Sequence, residues 1–173
     1  LAALLVGGCA KGDFKEKASQ GSGNVLRYPL NTVPTTLDPG VVQDVDTIDA
    51  LQQVYEGLVT WGEDNQPKPL LAESWEIQDG GKSYVFTIRK GVKFHNGREV
   101  KAEDFKWSWE RACASELASE TITAYLGDVV GLMDMKEGKA DSISGVTVVD
   151  DYTLKVEIDK PRPYFLGKLT YLV

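Results

Sequence analysis

Positions 83–89 (Ser83-Tyr84-Val85-Phe86-Thr87-Ile88-Arg89) alternate, with Tyr84, Phe86 and Ile88 on one side. Alternation with period two predicts a strand buried on one face. Thr153–Ile158 alternates in the same way, with Leu154, Val156 and Ile158 inward, and Val146–Val149 precedes it across Asp150-Asp151-Tyr152. Those two segments predict a hairpin. A second hairpin turn is expected at Asp79-Gly80-Gly81-Lys82, after a buried segment and strand over Pro69–Ile77. Val25–Leu30 and Leu58–Trp61 read as short strands, and Pro29 confines the first to an edge. Gly62–Pro67 and Lys90–Gly97 read as loop and turn regions, and Leu37-Asp38-Pro39-Gly40 as a turn.

Helical spacing marks three other stretches. Ile48, Leu51 and Tyr55 follow it over Thr47–Tyr55, with Asp46 or Thr47 as cap. Ala102–Ala114 carries a stripe of Phe105, Trp109, Ala112 and Cys113, and Glu103 and Asp104 complement the helix dipole in the first turn. A further helix is expected over Leu126–Glu137, ended by Gly138. Lys160-Pro161-Arg162-Pro163 breaks the chain, and Pro163 can start a helix at Tyr164. Strands and helices mix without βαβ regularity and without an internal repeat, which predicts an α+β (mixed α/β) fold.

Composition narrows the function. Of 173 residues 26 are acidic and 19 basic, a net charge of −7. That balance excludes the basic surface a nucleic-acid binder needs. With 42% hydrophobic and 26% charged residues, the chain has material for a core. Two cysteines and one histidine exclude a Cys/His zinc site and any disulfide framework beyond one bridge.

Leu1–Cys9 is apolar and ends on Gly7-Gly8-Cys9. It is too short to span a bilayer, which takes about 20 residues. It reads as the end of a secretory signal whose basic start is missing. The small residues before Cys9 resemble a bacterial lipobox, in which the Cys9 thiol carries a diacylglycerol anchor. The alternative is a frayed apolar helix start with a chance cysteine. Residues 10–23 are polar and rich in Ser and Gly, a tether. Leu1 opens within one apolar run and Leu169-Thr170-Tyr171-Leu172-Val173 closes on another, so both ends are expected to be cuts in a longer chain.

Candidate chemistry is sparse. His95 sits in a turn, and no G-x-S-x-G or phosphate loop accompanies it. Glu63/Asp64, Glu103/Asp104 and Asp150/Asp151 are adjacent pairs, which solvate or cap more often than they catalyse. No cofactor and no enzyme activity are expected. Trp61, Trp75, Trp107 and Trp109 either line a cleft or fill the core, and Trp107 is the one expected to be exposed.

Several blocks then occur in order: Tyr55-Glu56-Gly57-Leu58-Val59, Pro69–Glu76, Asp79–Gly97, Ala102-Glu103-Asp104-Phe105 and Ser108-Trp109-Glu110-Arg111. Leu37-Asp38-Pro39 precedes them, and Asp150–Leu154 and Pro161–Phe165 follow. Together they resemble the oligopeptide/dipeptide-binding proteins of bacterial ABC importers, extracellular solute-binding protein family 5. The resemblance runs from about Val25 to Val173.

It implies a type II periplasmic-binding-protein-like receptor of two lobes with an extra inserted domain, of which this is the N-terminal portion. Residues 24–55 would start lobe I, 56–166 would form the inserted domain, and 167–173 would return to lobe I. It implies extended peptides as ligand, held by strand-like backbone pairing in hydrated side-chain pockets. It further implies ABC permease subunits as partner, a monomer, and an extracytoplasmic location on a lipid anchor. Carried over by position, the ligand contacts fall on Gln43, Asp44 and Val45, with Asn31 nearby. The family's acidic contact is here the amide Gln43. A tyrosine contact falls on Ile122, with Tyr125 as the substitute. Lys101 stands where the family has a Thr cap, which costs the Ala102 helix about 1 kcal/mol. A peptide sensor, a binder of nickel chelates, haem or sugars, and a fragment of a secreted hydrolase remain as alternatives.

Overall fold

A computed structural model describes residues 29–117 and 119–171. Cys9, the 10–23 tether and residues 25–28 of the first expected strand lie outside the described residues. Pro29 and Leu30 belong to no strand. The account below concerns the compact unit that begins at Asn31.

Four strands form one antiparallel sheet: β3 (Ala72–Gln78), β4 (Ser83–Ile88), β5 (Val146–Asp150) and β6 (Thr153–Glu157), in the order β3-β4-β6-β5. β1 (Val59–Trp61) and β2 (Pro67–Pro69) make a separate small hairpin. Register sets the core. Tyr84 opposes Val156 and Phe86 opposes Leu154, and all four are buried. The other face carries Glu76 opposite Val85, which opposes Lys155, beside Thr147. The sheet is thus apolar on one side and polar on the other, as the alternation requires. The β3–β4 turn needs three successive residues at positive φ, Asp79 (50°), Gly80 (62°) and Gly81 (93°). Two glycines there avoid the cost that a Cβ imposes on left-handed backbone.

α2 (Ala102–Cys113) covers the apolar face with Trp109, Ala112 and Cys113. The expected missing cap is made good from elsewhere. Lys101 offers no acceptor, but the Asp104 carboxylate accepts the Lys101 N–H (2.8 Å), and Asp151 O accepts the Ala102 N–H (2.8 Å). α5 (Phe165–Lys168) seats Phe165 4.9 Å from the Tyr84 ring centroid.

Two helices depart from expectation. α1 is Val45–Leu51, not Thr47–Tyr55. Asp44 caps it by accepting from the Thr47 N–H (2.9 Å), and residues 52–54 close in turns. The single helix expected over Leu126–Glu137 is instead the end of α3 (Glu120–Leu126), a rung of sheet, and α4 (Leu132–Lys136). Backbone hydrogen bonds to the strand explain the break. Val130 N–H donates to Glu157 O (2.9 Å), Asp159 N–H donates to Asp128 O (3.0 Å), and Val129 bridges Ile158. Those bonds turn the backbone of residues 128–130 to β6 instead of to a helix, and Gly131 at φ 77° precedes the restart at Leu132.

A second, small apolar cluster of Val42 and Leu51, with Ile48 against it, is separate from the main core. It holds α1 and the segment that precedes it.

Candidate functional site

The turn at Leu37–Gly40 is closed by its own aspartate. Asp38 Oδ1 accepts the Gly40 N–H (3.0 Å), and Asp38 O accepts the Val41 N–H (3.3 Å). The same carboxylate takes both guanidinium nitrogens of Arg111, in the last turn of α2: Nη1 to Oδ1 at 3.1 Å, and Nη2 to Oδ2. This fork holds the Asp38 carboxyl below the ordinary range and raises Arg111.

The next carbonyls are also taken up. Ser119, the N-cap of α3, donates its hydroxyl to Gly40 O while accepting the Ile122 N–H (3.1 Å). Thr121 Oγ1 donates to Val42 O (3.0 Å), and the Tyr171 hydroxyl donates to the same oxygen (3.3 Å). Ser119, Thr121 and Val42 are all buried. The Tyr171 ring stacks on Tyr125, with centroids 3.7 Å apart and planes 11° from parallel. Burial, with Tyr125 and Asp44 nearby, pushes the Tyr171 phenol up to about 12.

Residues 31–35 lie against the start of α1. Asn31 donates its N–H (3.3 Å) and Nδ2 (3.1 Å) to Asp46, and Thr32 Oγ1 donates to the other oxygen (2.8 Å). Thr35 Oγ1 donates to Asp44 (2.8 Å), and Thr35 N–H donates to Thr47 Oγ1 (3.1 Å). Hydrogen bonds led by Thr47 at Asp44 and by Thr32 at Asp46 hold both carboxyls below their ordinary value.

The expected contact residues are therefore placed differently from one another. Asn31 and Asp44 spend their polar atoms inside the chain. Gln43 is exposed, and among the described residues its backbone N–H and C=O take no hydrogen bond. Val45 is 71% exposed. Ile122 is fully buried in the core, so its side chain presents nothing at a surface. Tyr125 is half-buried and stacks on Tyr171, the ring whose hydroxyl reaches Val42 O. Arg111, Ser119, Thr121 and Tyr171 were not singled out by sequence as parts of this site.

Beside the Asp38–Arg111 pair lies a groove of about 590 Å³ walled by Leu37, Tyr55, Phe94, Phe105, Trp107 and Leu169. Trp107 is 63% exposed there. Arg98 sits 4.5 Å over the Phe94 ring and pairs with Asp104 (2.7 Å). The groove offers apolar contact, and two of its cations are already matched by carboxylates. His95 is exposed in the neighbouring turn. Among the described residues no group of three or more His, Cys, Asp or Glu is placed to hold a metal ion.

The model of bacterial extracellular solute-binding proteins, family 5 (middle region), matches residues 66–173. The chain belongs to that family. It is a family of binding proteins rather than of enzymes. Within it, the chain is 37% identical over 152 residues to a probable deoxycholate-binding periplasmic protein, YgiS, of Escherichia coli, covering 85% of this chain and 28% of the relative. It is 33% identical over 175 residues to the periplasmic oligopeptide-binding protein OppA of Escherichia coli, covering 99% of this chain and 32% of the relative. A crystal structure of Haemophilus influenzae OppA in complex with RPPGFSPFR matches with a TM-score of 0.74 and 34% identity, over 79% of this chain and 27% of that one. The chain thus spans about a third or less of these family members, and their periplasmic-binding-protein fold is the one it shares in part.

Proposed function

We propose that the protein is the substrate-binding component of an ABC importer and binds short peptides in extended form outside the cytoplasm. The observation that carries this reading is the 34% identity and TM-score of 0.74 to an OppA structure holding RPPGFSPFR. The exposed Gln43 supports it, because an unpaired backbone edge is what an extended peptide pairs with. In this reading Gln43 and Val45 face the ligand, and Tyr125 flanks them. Residues 24–55 start the first lobe, 56–166 form the inserted domain, and 167–173 return to the first lobe. Cys9 carries a lipid anchor, residues 10–23 tether the receptor to the membrane, and the monomeric receptor delivers its load to permease subunits.

The test uses the full-length protein. It is purified, denatured, and its released ligand identified by mass spectrometry. Mixed short peptides are expected. A single bile acid, metal chelate or sugar would overturn the proposal.

A further inference from the structure

We infer that Thr121 and Arg111, in the body of the domain, are positioning residues that fix the ligand-facing segment Gln43–Val45 without touching ligand. The inference rests on the peptide-binding reading above.

The segment from Asp38 to Gln43 has no regular secondary structure to hold it. A short irregular stretch that must present backbone groups to a ligand samples other conformations unless its own polar groups are tied down. Here they are tied at alternate positions. The Asp38 side chain is gripped by Arg111. The carbonyl of Gly40 takes the Ser119 hydroxyl, and that of Val42 takes the Thr121 hydroxyl. Val42 itself is fully buried beside Leu51, which fixes the direction in which the chain emerges. Gln43 follows directly, exposed and without a backbone partner among the described residues.

The clamping atoms are suited to set position. The Thr121 hydroxyl is buried and donates at 3.0 Å. The guanidinium fork accepts one orientation of the carboxylate, which a lysine ammonium does not enforce. Both residues sit on helices packed into the main core. The position of the ligand-facing edge is thereby referred to the rigid body of the sheet and helices.

The experiment measures affinity and thermal stability together in the full-length protein, using as probe the peptides recovered from the wild type. Thr121→Val and Arg111→Lys are each expected to weaken binding at least tenfold at a temperature where the protein stays folded. Thr121→Ser, which keeps the hydroxyl, is expected to bind within twofold of wild type. Val156→Ala, in the sheet core, is expected to lower the melting temperature and leave affinity within twofold. Wild-type affinity in both Thr121→Val and Arg111→Lys would overturn the inference while leaving peptide binding intact. Equal weakening by Val156→Ala would overturn it too, because general loosening would then account for the loss. A wild-type protein that yields and binds no peptide would remove both proposals.

Discussion

Asp38 and Arg111 form a two-point ion pair between residues 73 apart in sequence. The arginine holds the carboxyl below its ordinary pKa. A carboxyl depressed in the folded state adds stability above its unfolded pKa and loses it as pH falls through the folded value. The contribution is therefore full at neutral pH and fades below about pH 4. Side-chain exposures of 37% for Arg111 and 27% for Asp38 keep it near about 1 kcal/mol after solvent screening. Urea midpoints from pH 6 to pH 2.5 should show wild type losing this increment and Asp38→Asn lacking it throughout. Parallel curves would contradict the pairing.

Ser119→Ala should destabilise by about 2 kcal/mol. It removes a helix N-cap and leaves the Gly40 carbonyl without its donor. Equilibrium urea unfolding measures this, and a loss below about 0.5 kcal/mol would mean that the hydroxyl is replaceable by water.

Two glycines with similar backbone should respond differently to alanine. Gly131 (φ 77°) and Gly138 (φ 72°) are both left-handed. A Cβ at Gly138 meets nothing within 4 Å, whereas at Gly131 it meets the Ser144 backbone nitrogen at 2.9 Å. Gly138→Ala should cost about 1 kcal/mol, and Gly131→Ala about 3 kcal/mol once the clash is added to the strain. Calorimetric melting temperatures should fall further for Gly131→Ala. The reverse order would refute the close approach to Ser144.

Cys113 should be chemically silent in the folded state. Burial pushes its thiol up to about 11, so the thiolate that reacts is scarce at pH 8. In a Cys9→Ser background, a disulfide reagent should label the protein only after denaturant is added. Rapid labelling without denaturant would place Cys113 at the surface.

Much of the domain body could be read from sequence, because two short-range periods fixed it. Tyr84/Phe86/Ile88 and Leu154/Val156/Ile158 declared one buried face, and the Phe105–Cys113 stripe declared α2. The misreading over Leu126–Glu137 has a long-range cause. Asp128–Val130 satisfies its backbone on β6, and nothing local in those residues announces a strand partner almost thirty positions away. α3 was missed although Ile122, Tyr125 and Leu126 follow helical spacing after a Ser cap. For the site, the family blocks pointed to Gln43–Val45, but the side chains that pin the approach to it come from positions 111, 119, 121 and 171. Ser119, Thr121 and Tyr171 donate to backbone carbonyls, which carry no residue-type signature, and the carboxylate partner of Arg111, Asp38, lies 73 positions away.

The Gly40–Ser119 bond joins residues 79 apart, and Tyr171 reaches Val42 across 129. Chain emerges at roughly 5–20 residues per second during synthesis. The segment around Gly40 is therefore made early but waits about 4–16 s for the hydroxyl that secures it. Until Ser119, Thr121 and Tyr171 have also been made, the carbonyls of Gly40 and Val42 lack these three donors.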